Sequence, residues 1–259
     1  MNDRIRLDGR IAVVTGAAGV IGVATMQLLA ARGARIVAVD RLQRDVQGAI
    51  SNLPESAQAL AVAVDVTHEN EVAGYVGAAI DKFGTIDIFF NNAGVEGEIA
   101  PITKYSLEAF RKVIDVNIVG VFLGLKHVLP VMLSQNRGSI INTASIAGLV
   151  GSPEIAAYTA SKHAVIGLTK SAAAECSATS VRVNCVCPGL IDSRMLNAII
   201  EGRNPGKARL SLEKAMERIP ARRLGQASEV ASIVAFLASD EASYVSGSAY
   251  TVDGGRVAS

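Results

Sequence analysis

The stretch Thr15-Gly16-Ala17-Ala18-Gly19-Val20-Ile21-Gly22 decides the fold of this 259-residue chain. It begins at the end of a short apolar run, Ile11 to Thr15, and an alanine-rich apolar stretch continues from it to Ala31. A strand, a glycine turn and a helix in this order let backbone N–H groups and the positive end of a helix dipole face a pyrophosphate. The stretch therefore predicts the first βα unit of a dinucleotide-binding sheet, although an ordinary strand-to-helix turn also uses glycine for positive φ.

Short aliphatic runs recur along the chain and predict buried strands. They are Ile11 to Thr15, Arg35 to Val39, Ala61 to Val64, Ile86 to Phe90, Ser139 to Asn142, Val181 to Val186 and Ala249 to Val252. The longer stretches between them have the apolar spacing of amphipathic helices, and a repeated βαβ unit gives a parallel sheet. We expect an α/β fold, a doubly wound Rossmann-type parallel sheet with helices on both faces. No linker interrupts the pattern, so residues 1–259 are expected to form one domain.

One polar segment rich in helix breakers, Asn197 to Ser211, lies late in the chain, after Pro188 and Gly189. A long segment of this kind in a compact domain is often a lid over a binding site. We therefore expect a substrate lid around residues 190–215.

Charge and cysteine content exclude several classes of protein. Lys and Arg number 25 and Asp and Glu 24, so no broad basic surface is available for nucleic acid or anionic lipid. Cys176, Cys185 and Cys187 are too few and too close for a secreted disulfide framework, and no His or Cys pair follows at metal-ligand spacing. Met1 to Arg10 is not an export signal, and no apolar run approaches the ~20 residues that cross a bilayer. A cytoplasmic protein without a metal site is expected.

The second predicted strand leads to Asp40, about 20 residues after the glycine turn. A carboxylate at this place accepts hydrogen bonds from both adenosine ribose hydroxyls and repels a 2′-phosphate, which favours NAD over NADP. Arg41 beside it could lie against the adenine face. Asp65 ends the next strand and could bind the adenine amino group, but a turn or helix-cap aspartate before Val66 is an open alternative.

A second set of polar residues follows the middle strands. Asn91-Asn92-Ala93-Gly94 and Thr143-Ala144-Ser145 each come after a strand, so both segments line the crevice where parallel sheets bind ligands. Tyr158 and Lys162 are four residues apart on a predicted helix and project from one face. We expect the Lys162 ammonium to lower the pKa of the Tyr158 phenol from ~10 toward the working range, while Ser145 holds the substrate oxygen. Such a Tyr and Lys pair taken alone is most often surface decoration.

With these motifs in place, the sequence resembles the short-chain dehydrogenase/reductase family over almost the whole chain. The motifs are the Thr15 to Gly22 turn, Asn91 to Gly94, Asn117, Ser145, Tyr158 with Lys162, and Pro188 to Met195. The resemblance maps the family's catalytic tetrad onto Asn117, Ser145, Tyr158 and Lys162.

The family resemblance also implies particular contacts. Asn117 would mark a helix kink whose freed carbonyl binds a water, and Lys162 would hold the nicotinamide ribose. Asn91 and Gly94 would line the adenosine side, and Ile191 and Ser193 would meet the nicotinamide amide. The predicted cofactor-binding set is Gly16, Gly19, Val20, Ile21, Gly22, Asp40, Arg41, Asp65, Val66, Asn92, Ala93, Gly94, Tyr158, Lys162, Pro188, Gly189, Ile191, Ser193 and Met195.

Two positions depart from the family pattern. Val20 stands where the turn usually has glycine, and Gly19 comes one place earlier. If this position needs positive φ, valine is a costly residue there and the loop would be re-routed around Gly19; the sequence leaves this open. Ser193 replaces a common threonine and keeps its hydroxyl.

The predicted substrate site is mostly apolar and consists of Ser145, Ala147, Glu96, Pro153, Tyr158 and Leu190. Such a wall suits a compact secondary alcohol or ketone. The segments around Val95 to Gly97 and Val121 to Leu125 also resemble the NAD-dependent family branch that acts on cyclohexanols, cyclic ketones or dihydrodiols. Glu96 would touch a substrate hydroxyl or amine, or it is a solvated loop residue.

Two other functions remain open at this point. No cluster of Lys and Arg marks a docking site for an acyl carrier, but the lid cations Arg203, Lys207, Arg209 and Lys214 leave a 3-oxoacyl thioester (acyl carrier protein) reductase open. A non-catalytic dinucleotide-binding protein would keep the fold without turnover. The end of the chain, Tyr244 to Gly255, resembles the family's last strand and tail. That resemblance implies a homotetramer.

Overall fold

The predicted strands form one parallel sheet in the computed structural model, which describes residues 5–258. Their bounds are β1 Ile11–Thr15, β2 Arg35–Asp40, β3 Ala59–Ala63, β4 Ile88–Asn91, β5 Gly138–Thr143, β6 Val181–Pro188 and β7 Ala249–Val252. Within the described residues the strand order is β3-β2-β1-β4-β5-β6-β7, and all the pairings are parallel. The doubly wound fold is confirmed. Two predictions, the single domain over residues 1–259 and the absence of an export signal at Met1 to Arg10, include residues 1–4 and 259. Those residues lie outside the described part.

Helices fill the connections between the strands. Their bounds are α1 Val20–Ala31, α2 Gln43–Ile50, α3 Glu69–Phe83, α4 Leu107–Ile114, α5 Gly120–Ser134, α6 Ala156–Glu175, α7 Arg194–Arg203, α8 Ala208–Glu217 and α9 Ala227–Ala238. A π-helical turn, Asp115–Val119, joins α4 to α5 without a break. The predicted lid region contains α7 and α8, so its breakers lie mainly in the turn between these two helices.

Two hydrophobic cores cover the two faces of the sheet. Because side chains alternate along a strand, Val13 of β1 packs on one face and Val14 on the other, and neither is exposed to solvent. The first face is covered by α3, α5 and α6, and the second by α1, α2 and α9. This packing explains why the strands are almost continuously apolar.

The strand order reverses between β1 and β4. The chain runs outward from β1 through β2 to β3 and then returns to place β4 on the other side of β1. The loops after these strands diverge and open a crevice at the carboxyl edge of the sheet. Thr15, Asn91 and Thr143 all end strands at this edge.

One helix contradicts the expectation that no apolar stretch is long enough to cross a membrane. The continuous helix Leu107–Ser134 has 28 residues and, over its most apolar window, a mean hydropathy of 1.8. By length and composition alone it passes the test for a membrane span. Its apolar side packs on the sheet through Val121, Leu125 and Val128, which is how a core helix acquires the same composition.

Cys176, Cys185 and Cys187 are free and buried. Cys185 and Cys187 lie two positions apart on β6 and therefore share one face of the sheet, the face covered by α6. Within residues 5–258, no group of three or more His, Cys, Asp or Glu side chains is placed to hold a metal ion.

Candidate active site

The glycine turn after β1 has its left-handed residue at Gly16, where φ is 63°. Gly19 is extended, with φ at −71°, and Val20 is the first residue of α1. The non-glycine residues with positive φ in the described chain are Asn136, Glu154 and Arg222. Val20 therefore does not need positive φ, because it lies inside a helical turn, and the condition for re-routing the loop around Gly19 is not met.

The N-terminus of α1 fits a bound phosphate. The helix ladder begins with the Val23 N–H donating to the Gly19 carbonyl, and no side chain caps the helix. The N–H groups of Val20, Ile21 and Gly22 therefore have no acceptor in the helix ladder. A Cβ on Gly22 would lie 2.2 Å from the Gly16 carbonyl oxygen, so only glycine allows this close packing of loop on helix.

Asp40 connects the end of β2 to the glycine turn. Its Oδ2 accepts a hydrogen bond from the Ala18 N–H at 2.9 Å, and its Oδ1 accepts one from the Arg41 N–H at 2.7 Å. The carboxylate is half-buried, whereas Arg41 is exposed. Asp40 is therefore a fixed acceptor beside the predicted phosphate position, where a ribose would need it.

Asp65 has the turn geometry that was one of its two interpretations. Its Oδ1 accepts from both the backbone N–H (2.9 Å) and the hydroxyl (2.7 Å) of Thr67. Val66 packs on the start of α5, where a Cβ on Gly120 would lie 2.9 Å from the valine side chain. Adenine contacts from Asp65 and Val66 stay predictions.

Asn92 joins the ends of three strands. Its backbone N–H and that of Ala93 donate to the Thr15 hydroxyl at 2.9 and 3.1 Å. Its side-chain amide donates to the Gly16 carbonyl at 3.2 Å and accepts from the Thr143 hydroxyl at 3.0 Å. These bonds fix the floor of the crevice.

The neighbouring Asn91 does not line the crevice. Its side chain is buried and donates to the carbonyl of Val121 on α5 at 3.0 Å. The expectation that Asn91 lines the adenosine side was wrong, because strand alternation turns it toward the helix layer.

Asn117 lies in the π-helical turn and is fully buried. Its Oδ1 accepts from the Val95 N–H at 2.8 Å, and its Nδ2 donates to the Val95 carbonyl at 2.9 Å and to the Ser161 hydroxyl at 3.0 Å. The helix irregularity that the family resemblance implied is present here as a π turn, a feature that often marks functional sites. Asn117 thus ties the loop after β4 to α6.

Lys162 is buried at the carboxyl end of β5, where its Nζ donates to the Thr143 carbonyl at 2.7 Å. The ammonium lies 5.5 Å from the centroid of the Tyr158 ring. A Cβ on Gly94 would lie 3.4 Å from Nζ, so the glycine leaves the space that the ammonium occupies. Burial lowers the pKa of Lys162 to about 8.

Tyr158 and Ser145 meet across the crevice. Burial raises the pKa of the Tyr158 phenol to about 12, a hydrogen bond with Ser145 opposes this rise, and the charge of Glu96 adds to it. The expectation that Lys162 brings this pKa toward neutrality was wrong for this arrangement. The ammonium lies beside the ring and bonds to Thr143, so desolvation of the phenol outweighs its effect.

Ser145 begins a short 3₁₀ turn, Ile146–Gly148. Its hydroxyl accepts from the buried Ala147 N–H at 3.2 Å and lies 3.4 Å from the Pro188 carbonyl, to which it can donate. Ser145 therefore stands between the ends of β5 and β6, on the same side as Tyr158.

The segment after β6 forms the remaining wall. Gly189 passes against β7, because its N–H donates to the Val252 carbonyl at 3.0 Å. The Ser193 hydroxyl donates to the Ile191 carbonyl at 3.1 Å and accepts from the Leu196 N–H at 3.2 Å, which caps α7. A nicotinamide that contacts Ser193 would therefore meet the same hydroxyl that caps α7. The predicted Leu190 and Met195 are half-buried along the same wall.

Glu96 is not the solvated loop residue of one interpretation, and its contact with a substrate stays a prediction. Its carboxylate pairs with the guanidinium of Arg194 on α7, with Arg194 N–Glu96 O distances of 2.9 and 3.4 Å. The Glu96 side chain is only 14% exposed, whereas that of Arg194 is 78% exposed. The pair bridges the crevice from the β4 loop to the lid.

Pro153, another residue of the predicted substrate site, is exposed, and its carbonyl accepts from Arg203 at 2.7 Å.

Comparison with known proteins agrees with this geometry. Residues 16–256 match a family model described as enoyl-(acyl carrier protein) reductase. Levodione reductase from Leifsonia aquatica is 38% identical over 98% of this chain and 96% of its own length. Cyclohexanol dehydrogenase from Acinetobacter sp. (strain SE19) is 37% identical over 96% of this chain and 95% of its own. A crystal structure of NAD⁺-bound xylitol dehydrogenase superposes with a TM-score of 0.93, at 35% identity over 96% of this chain and 99% of that one.

The chain belongs to the short-chain dehydrogenase/reductase family. The predicted enzyme class, an NAD-dependent short-chain alcohol dehydrogenase or ketone reductase, is confirmed with it. The structure brings Asn117, Ser145, Tyr158 and Lys162 together at the carboxyl edge of β4 to β6, where the short-chain dehydrogenase/reductase resemblance placed them.

Sequence reasoning missed one feature of this short-chain dehydrogenase/reductase site. A cavity of about 350 Å³ opens beside Ser145, lined by Ile146, Ala147, Val150, Gly151, Ser152, Leu190, Arg203, Arg256 and Val257. Arg256 comes from the C-terminal tail, and no motif in the sequence signals that the tail returns to the crevice. Arg203 was assigned only to the lid.

Proposed function

We propose that this protein transfers a hydride between NAD(H) and a compact secondary alcohol or ketone with an apolar or alicyclic carbon frame, with Tyr158 as general acid and base. The observation behind the proposal is the meeting of Tyr158, Ser145 and Lys162 at the crevice beside an uncapped helix N-terminus. Such a set combines a proton donor, a hydrogen-bonding hydroxyl and a cation at one place.

The residues have separate tasks in this proposal. Bound NAD supplies the hydride acceptor or donor. Tyr158 exchanges a proton with the substrate oxygen, and Ser145 holds that oxygen in place by a hydrogen bond. Lys162 supplies positive charge beside the phenol and a donor for the nicotinamide ribose. Asn117 holds the loop after β4 against the helix that carries Tyr158.

The raised pKa of Tyr158 predicts how the rates of oxidation and reduction depend on pH. A phenol with a pKa of about 12 is protonated near neutrality and can donate its proton to a ketone. Alcohol oxidation needs the deprotonated form, so its kcat/KM rises as the pH increases through the alkaline range. Ketone reduction should show the opposite trend.

Asp40 supports NAD as the cofactor. Its fixed carboxylate would accept from the ribose hydroxyls and would repel a 2′-phosphate. Exposed Arg41 would weaken this repulsion only in part. Asp40 is the discriminating residue, so Asp40→Ser should raise kcat/KM with NADP⁺ relative to NAD⁺ by roughly tenfold or more, corresponding to a lost charge repulsion.

The first experiment follows NADH formation with cyclohexanol and NADH consumption with cyclohexanone. Tyr158→Phe should lower kcat by roughly 10²- to 10⁴-fold and leave the dissociation constant of NAD⁺ within about threefold. Tyr105→Phe, a tyrosine outside the crevice core, is the matched control and should retain turnover. Persistent turnover in Tyr158→Phe would overturn the proposed mechanism.

A 3-oxoacyl thioester reductase is the second candidate, because the matching family model carries an acyl-carrier-protein description. Reduction of acetoacetyl thioesters with NADPH, measured beside NAD-linked oxidation of cyclohexanol, separates the two. A non-catalytic dinucleotide-binding protein would bind NAD and turn over neither substrate.

A homotetramer in the cytoplasm completes the proposal. Leu107 and Phe110 on α4 and Phe122 on α5 expose large apolar side chains, and Tyr244 near the chain end is fully exposed. Apolar surface of this kind suits contacts between copies. Sedimentation velocity should give the mass of four chains. Cell fractionation should place the protein, with its cysteines reduced, in the cytoplasm.

A further inference from the structure

The cavity beside Ser145 has an apolar side and a basic side. Ile146, Val150 and Leu190 form the apolar side, and Arg203 and Arg256 form the basic side. Among residues 5–258, no Asp or Glu lines it. An apolar cavity with two half-buried guanidinium groups is unusual for a site that takes only neutral alcohols, because cations partly removed from water favour a compensating acceptor.

Arg203 is only partly satisfied by the protein. Its NH2 group donates to the Ser152 hydroxyl at 3.0 Å and to the Pro153 carbonyl at 2.7 Å. Its Nε is buried without a hydrogen-bond partner in the described chain, and the carboxylate of Glu154 lies 3.8 Å from it, beyond hydrogen-bonding distance. Thus one donor of this guanidinium still lacks an acceptor.

Arg256 has no partner at all for its side chain among residues 5–258. Its backbone N–H donates to the Asp253 carbonyl, but its guanidinium makes no hydrogen bond or ion pair there. Gly254 and Gly255, both with positive φ, precede it and turn the tail back toward the crevice. The tail therefore brings to the cavity wall a half-buried cation that has no ion-pair partner in the described part of the chain.

The other carboxylate near the crevice does not neutralise these cations. Glu96 is held by Arg194 on α7, through two contacts. Glu154 pairs with Arg203 at 3.8 Å, and Arg256 has no carboxylate partner among residues 5–258, so the two cavity arginines still carry more positive charge than this one carboxylate balances. A carboxylate fits this arrangement, since guanidinium groups bind it through paired, charge-assisted hydrogen bonds.

We propose that the cavity binds a carboxylate on the substrate, so that the preferred substrates are compact secondary alcohols or ketones with an acidic group on the side away from the reacting carbon. This inference rests on the proposed dehydrogenase function and specifies its substrate class. Arg256 and Arg203 determine the specificity, while the apolar wall holds the carbon frame between the carboxylate and Ser145.

The test compares substrates that differ only in charge. With NAD⁺, 3- and 4-hydroxycyclohexanecarboxylate are measured beside the corresponding carboxamides and cyclohexanol. The better carboxylate should exceed its carboxamide in kcat/KM by roughly 10- to 100-fold, as expected for a charged hydrogen-bonded pair. The difference should lie mainly in KM, because the carboxylate contact is distant from the reacting atoms.

Variants of Arg256 locate the effect. Arg256→Gln should reduce the preference for carboxylate to about twofold and change the carboxamide rate little, whereas Arg256→Lys should keep part of the preference. Arg203→Gln should act in the same direction, with circular dichroism to check the fold because Arg203 also holds Ser152 and Pro153. Arg218→Gln, an exposed arginine outside the cavity, is the matched control.

Two results would overturn the inference: equal rates for carboxylate and carboxamide in the wild type, or an equal loss for both in Arg256→Gln. If cyclohexanol is oxidised but no carboxylate preference is found, the inference fails and the proposed function stands. If none of the alcohols is oxidised, the proposed function fails, and calorimetric binding of cyclohexanecarboxylate decides the inference. Tenfold weaker binding to Arg256→Gln supports it, and unchanged binding overturns it.

Discussion

The two walls of the crevice are held in different ways. On the strand wall, Asn117 and Lys162 make their hydrogen bonds in the interior, where a lost bond leaves buried groups unpaired. On the lid wall, Glu96 pairs with an arginine that is 78% exposed, and such pairs contribute little to stability. The comparison teaches that two residues of the proposed catalytic set are fixed by the core, whereas the Glu96–Arg194 contact across the crevice can be exchanged at low cost.

Asn117→Ala should give the largest effect. It removes both partners of the Val95 backbone and the bond to Ser161, so we expect a loss of about 3 kcal/mol in the free energy of unfolding. Turnover should fall by roughly 100-fold or more, because the loop after β4 would be displaced. Urea unfolding and initial rates measure these changes, and Asn70→Ala on the exposed face of α3 is the control. A stable, active Asn117→Ala enzyme would break the comparison.

Lys162→Met tests the strand wall through pH. The pKa of Lys162 is lowered from 10.5 to about 8, so between these values the unfolded chain binds the extra proton and the folded protein does not. Wild-type stability attributable to this group therefore rises as the pH increases from 8 to 10.5. The variant lacks this rise, so it should lose about 2 kcal/mol relative to wild type between pH 7 and pH 10.

Urea unfolding of Lys162→Met and wild type at pH 7, 8.5 and 10 measures this change. The exposed Lys170→Met on the same helix is the control and should follow the wild type at every pH. A constant difference between Lys162→Met and wild type would contradict the lowered pKa of Lys162.

Glu96→Gln tests the lid wall and should have the smallest effect. Loss of its pair with Arg194 should change the free energy of unfolding by less than about 1 kcal/mol. Removing its negative charge lowers the pKa of Tyr158, so the pH profile of alcohol oxidation should move slightly toward lower pH. Glu213→Gln, which breaks a pair within α8, should leave the profile in place. A stability loss as large as that of Asn117→Ala would remove the distinction between the walls.

The strands and the shared helix face of Tyr158 and Lys162 could be predicted because they depend on local patterns. The run Ile11 to Thr15 is a strand with those bounds, since a buried parallel strand needs continuous apolar residues. Tyr158 and Lys162 share a helix face because their spacing is one helical turn. Predicted bounds failed only by a few residues, as at β4, which begins at Ile88 rather than Ile86.

What could not be predicted depends on contacts between distant segments. The pKa of Tyr158 is set mainly by burial, and spacing along a helix says nothing of how deeply a ring is packed. Glu96 meets Arg194 only because the loop after β4 and α7 face each other. Arg256 reaches the cavity only because the tail turns at two glycines.

The bond from Ala18 to Asp40 has a consequence for attempts to re-engineer the coenzyme. The carboxylate proposed to choose between NAD and NADP is also the acceptor that anchors the phosphate loop. Removing it to admit the phosphorylated coenzyme would therefore free the loop as well as the ribose position. Asp40→Asn would remove the negative charge and keep a neutral acceptor for the Ala18 N–H, which separates charge selection from loop anchorage. Tight NADPH binding should require both a changed charge at the ribose and a rebuilt anchor for the loop.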